Sequence, residues 1–427
     1  MQPTLSFEQA PPISVPFRFL LTAPLFGVAA GLLLLWLGPE ALASRWAPGA
    51  LALTHLITTG FMLQAMCGAL LQLVPVAAGG NVWRPRLVAG LVHPALIVAA
   101  LSLVAAFLSM RPPLFVSAAV LFAAALGFYL SVVGIAVLRT SAQGATVLAL
   151  RIALLGLAAT AVLGATLAVG FGLRLELPLI ELANIHTVWG LGGWSMVLLT
   201  GISYLLVPMF QLTPAYPLRM AFAVPTALFA ASALASLQLA GNLRWLGEVG
   251  AFLALAAAVG YAITSLWLQR RRRRKLTDST FHLFRSAMIA ILLTFASCVA
   301  FEFVPALGEH PRAPVWLGIL VLFGVFTLAI NGAVYKIVPF LNWLHLQRRG
   351  VTAGAAPNMK QMIAESAIRR QARLQLAAVG LLLAAVLVPE LTRPAGALLA
   401  ASFALLEANL IAGVKVYLRV SRAIQAA

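Results

Sequence analysis

The chain has 427 residues, of which 62% are hydrophobic and only 9% charged, and it carries a formal net charge of +18. That balance excludes a soluble domain: apolar runs of about 20 residues, the length that crosses a bilayer, recur from end to end. Nucleic-acid binding is excluded too, because the positive charge falls in short connections between apolar runs, where it reads as a membrane topology signal.

In chain order, twelve spans are predicted at roughly 17–38, 50–75, 87–110, 113–138, 149–173, 181–209, 220–240, 246–268, 283–304, 314–341, 374–390 and 394–418. The expected fold is all-α, a single transmembrane domain over residues 1–427. The opening "MQPTLSFEQAPPISVPFRF" lacks the basic start and small-residue cleavage site of a secretory signal. With that end inside, the inner connections hold Arg84, Arg86, Arg139, the run Arg270 to Lys275, Arg348, Arg349, Lys360, Arg369, Arg370 and Arg373. The outer connections hold Arg45, Arg111, Arg174, Arg244, Arg312 and Arg393. This asymmetry predicts a multi-pass plasma (inner) membrane protein with both termini cytoplasmic, its arginines meeting lipid headgroups. Cys67 and Cys298 lie far apart within spans and read as small buried side chains rather than a disulfide.

Three spans share one frame: glycine, seven residues, glycine, five residues, Val-Pro. It is Gly60, Gly68 and Pro75 in span 2, Gly193, Gly201 and Pro208 in span 6, and Gly324, Gly332 and Pro339 in span 10. The prolines are 133 and then 131 residues apart. The unit is therefore four spans long and occurs three times, at roughly 17–138, 149–268 and 283–418. Such glycines let two backbones approach closely, or leave room for a flat ligand. At 100° per residue, His186, Gly190, Gly193 and Gly201 share one sector of span 6, which favours a ligand groove there.

Six histidines occur. His93, His282, His310 and His345 read as interfacial or loop residues, whereas His55 and His186 lie inside repeated spans. They precede their prolines by 20 and 22 residues, in the outer part of the membrane. An ionisable group at that depth is usually paired or functional, and neutral imidazole is a standard haem ligand. The bland reading is a histidine bonded to a helix carbonyl. Met62 and Met66 read as core, Trp189 and Trp194 as porphyrin neighbours or interface anchors, and Lys336 as a snorkelling end. Glu181, Glu302 and Glu407 are read at span ends, leaving no acidic proton relay.

Twelve spans in three arcs of four resemble subunit I of the haem-copper oxidase superfamily. "HTVWGLGGWSMVLLTGISYLLVP" is similar to the helix of cbb-type oxidases and nitric oxide reductases that carries His-x-His-x-Gly. "MFQLTPAYPLRM", with Pro214, Tyr216 and Arg219, is similar to the segment after that helix in the cbb-type branch. The departures matter. Span 7 has no histidine, the ligand positions of span 10 hold Leu317 and Ile319, and the second position in span 6 is Val188. Copper is therefore not expected, nor standard oxygen reduction.

The resemblance implies one low-spin haem b, with His55 and His186 as metal ligands. Trp189, Gly190 and Gly193 would border it, and Arg45 and Arg174 would lie on the propionate side. The expected function is electron transfer or a nitric oxide or oxygen response, near NnrS-like proteins, with a respiratory redox partner or small gas ligand. An oxidoreductase activity is left open. The alternative is a haem-free transporter or respiratory-complex assembly factor on the same scaffold.

Overall fold

The computed structural model describes residues 9–241, 243–273, 276–349 and 357–426. Among these residues the secondary structure is helical, with no strand. Twelve helices are long and apolar enough to cross a membrane, which makes this a multi-pass membrane protein. They are α1 (Ser14–Leu37), α2 (Pro48–Ala78), α3 (Pro85–Ser109), α4 (Pro112–Arg139), α5 (Ala145–Leu173) and α6 (Leu179–Gln211). There follow α7 (Leu218–Gly241), α8 (Arg244–Arg270), α9 (Ser279–Phe303), α10 (Ala313–Arg348), α11 (Glu365–Leu387) and α12 (Thr392–Ala426).

Local chemistry starts several of them. Pro48, Pro85 and Pro112 occupy first helical positions, where a missing N–H costs nothing. Asp278 caps α9 by accepting from the Phe281 N–H at 3.0 Å. The frame prolines Pro75, Pro208 and Pro339 lie within their helices rather than ending them.

Several helices run past the predicted span ends, α11 the furthest. α11 begins at Glu365, nine residues before the predicted start, so Arg369, Arg370 and Arg373 are helical rather than in a connection. Charged residues make good helix even where they cannot lie in lipid, so hydropathy misses such extensions. Glu407 falls near the middle of α12 rather than at a span end. Residues 1–8, Arg274 and Lys275 lie outside the described residues.

The chain divides into two compact units, Met1–Pro11 with Leu70–Lys275, and Pro12–Ala69 with Leu276–Ala427. In the first, antiparallel neighbours α3 to α8 pack in sequence, α4 on α5 and α7 on α8 among them. In the second, α1 lies along α12 through Gly31, where a Cβ would stand 2.7 Å from the Ala400 Cα. Across the membrane windows, α2 is 94% buried, α10 72% and α6 56%, and no other helix exceeds 50%. The three helices with the repeated frame are the three most buried.

Candidate functional site

Each of these three helices changes winding at the same place. A π-helical segment runs over Leu56–Met62 in α2, Val188–Met196 in α6 and Leu320–Thr327 in α10. The segments begin 19, 20 and 19 residues before the frame proline. A π segment is rare and marks functional places more often than ordinary helix does, because the wider turn redirects side chains and frees carbonyls. No residue type announces it, and the sequence reading did not foresee it.

His55 is the last residue before the α2 segment, and its Nδ1 lies 2.8 Å from the Leu51 carbonyl oxygen. His186 is two residues before the α6 segment, and its Nδ1 lies 3.1 Å from the Thr160 carbonyl oxygen on α5. A carbonyl can only accept, so Nδ1 donates in both rings, and in the neutral form of either ring Nε2 would hold the lone pair. Both rings are half-buried. The two histidines belong to different units, His55 to the second and His186 to the first.

The sector of α6 headed by His186 faces α5. In antiparallel register, Gly164 stands against the His186 ring, Thr160 against Gly190, Gly156 against the Gly193 backbone and Ala149 against Gly201. A Cβ on Gly164 would lie 2.9 Å from His186 Cε1, and one on Gly193 would lie 2.7 Å from the Trp189 ring. The expected open groove over these glycines is thus filled by α5 and by Trp189. The other frame glycines do the same against their own neighbours. Gly60 faces the Phe26 ring and Gly68 the Phe19 Cβ of α1, while Gly324 faces Ala290 and Gly332 the Thr280 carbonyl of α9. Close helix packing accounts for the frame.

Of the remaining predicted residues, Trp189 is buried, donates from Nε1 to Ser236 Oγ at 2.8 Å and meets Phe229 edge-on. Arg174 is exposed at the left-handed residue closing α5. Arg45 is exposed in the turn before α2, its guanidinium 4.1 Å from the Trp46 ring centroid. Met62 and Met66 are core. Lys336 does not snorkel alone: its Nζ pairs with Asp278 Oδ2 at 2.7 Å. Neither a protein family's sequence profile nor a curated protein matches the chain. The site therefore stands on its geometry. Among the described residues, no three His, Cys, Asp or Glu side chains converge.

The sequence reading missed a cluster in the first unit. Tyr216 and Tyr261 stack with centroids 6.1 Å apart, Tyr204 tilts against Tyr216 at 5.0 Å, and the hydroxyls of Tyr216 and Tyr261 bond Ser265 and Ser203 at 2.8 and 2.7 Å. Burial, opposed by the Ser265 bond, raises the phenol of Tyr216 far above its usual range, so it stays a neutral hydroxyl. Tyrosines spread over 58 positions give no local motif, which is why pattern reading passes over them.

Proposed function

We propose that this is a haem-binding integral membrane protein built from three four-helix repeats, in which His55 and His186 would hold one haem b. The observation that carries the reading is the shared state of the two rings. Each sits at the mouth of a π segment with Nδ1–H given to a backbone carbonyl, the arrangement that fixes an imidazole's tautomer and offers Nε2 to a metal. The matching π segments and matching glycine contacts support the threefold repeat, and the likeness to the oxidase subunit follows from that repeat and the α6 residues. Assignment of both histidines to a single haem rests on the sequence frame.

A haem held by the imidazoles of His55 and His186 would supply one-electron exchange, which favours electron transfer over gas binding. His55 and His186 would hold the iron and set its potential, and Trp189 would border the α6 side. The Thr160 carbonyl would orient His186 and raise its basicity. Arginine placement supports cytoplasmic termini in an inner membrane. Iron and haem assayed per chain in protein from haem-replete cells test the reading. About one haem per chain, lost in His55→Ala and in His186→Ala, supports it. Haem-free protein overturns it and leaves a transporter or assembly factor.

A further inference from the structure

The second unit contains a seam of uncharged polar side chains between α10, α11 and α12. Gln375 Nε2 donates to Thr327 Oγ1 at 3.4 Å, Ser402 Oγ to Gln375 Oε1 at 2.8 Å, and Gln371 Nε2 to Ser402 Oγ at 3.1 Å. Two turns away, Asn409 Nδ2 reaches both the Tyr335 hydroxyl at 2.8 Å and the Ala367 carbonyl at 3.3 Å. These bonds set the register of α10 against α11, with 327 opposite 375 and 335 beside 367. Four residues are one turn on either helix, so Asn331 and Gln371 come level with each other between the two bonded layers.

In that middle layer the bonding is incomplete. Asn331 and Gln371 are both 0% exposed. Yet Asn331 Oδ1, Asn331 Nδ2 and Gln371 Oε1 have no protein partner. A buried amide left so is costly, and the usual remedy is an internal water with two to four polar neighbours. The layer offers one donor and two acceptors, all neutral, which suits water and gives an ion no counter-charge.

We propose that Asn331 and Gln371 bind internal water, which joins the two bonded layers into one hydrated seam between α10, α11 and α12. The seam runs about 12 Å, eight residues at 1.5 Å each. It begins at Tyr335, next in the chain to the ion-paired Lys336, and ends at Thr327, the last residue of the α10 π segment. It brings water to that level of the membrane between Tyr335 and Thr327, and it does not depend on the haem reading.

The test is brief X-ray radiolysis of the full chain in lipid nanodiscs, read by mass spectrometry, since activated internal water oxidises the side chains beside it. Tyr335, 2% exposed, is expected to label several-fold faster than Tyr129, 0% exposed, and to ignore a bulky radical scavenger in the bulk. Asn331→Leu with Gln371→Leu is expected to abolish the excess. Labelling of Tyr335 at the Tyr129 rate, or an excess that survives the double substitution, overturns the proposal. The comparison within the native protein decides alone if the double variant does not fold.

Discussion

His186 is carried by α6 but held by α5, through the 3.1 Å contact between its Nδ1 and the carbonyl oxygen of Thr160. The ring's direction is therefore a property of a helix pair, and changes on α5 reach it without touching α6.

Gly164→Val is the direct probe of that coupling. Its Cβ would lie 2.9 Å from His186 Cε1, so the ring must turn while the backbones keep their places. The expected outcome is a folded protein with reduced haem content or shifted optical bands. Gly127→Ala, with nothing within 4 Å of the added Cβ, is expected to change neither.

Gly156→Ala tests the packing itself. Here the added Cβ meets the Gly193 carbonyl, which is backbone and cannot swing aside. A loss of about 1–3 kcal/mol is expected from such overpacking, seen as a lower thermal midpoint. Gly380→Ala, which meets nothing within 4 Å, is expected to hold or raise the midpoint.

The Asp278–Lys336 pair predicts a pH dependence. Burial is the largest influence on Asp278 and opposes its charge, but Lys336, the Thr280 hydroxyl and the Phe281 N–H together hold the carboxyl at about 2, below its ordinary 3.8. Because the folded value is the lower one, the stabilisation is complete above about pH 4 and is lost as the pH falls through about 2. It amounts to about 2 kcal/mol. Unfolding of the Asp278→Asn variant is expected to lose both that stability at neutral pH and the slope in that window.

Trp189→Phe keeps the ring against Phe229 and removes the 2.8 Å bond to Ser236. A cost of about 1 kcal/mol in thermal unfolding is expected, with the fold retained.

The twelve spans were legible because lipid demands long apolar runs, and the glycine frame because repetition leaves matched intervals. Helix ends beyond the lipid were less so: the nine residues from Glu365 to Arg373 follow helix propensity rather than hydropathy. His55 and His186 stood out as imidazoles inside apolar helices. Which neighbour each would meet did not, since spacing along one helix does not say which other helix packs on it. That is also why the sector beside His186 read as a groove when α5 fills it. Asn331 and Gln375 fall within predicted spans and Gln371 just before one, and only the register of α10 against α11 brings them to one seam.

The absorption spectrum of the detergent-purified protein, oxidised and dithionite-reduced, beside His55→Ala and His186→Ala, tests the central claim most directly. Sharp reduced α and β bands, lost or altered in both variants, are the predicted result. A spectrum without haem bands, or bands that neither substitution changes, would contradict it.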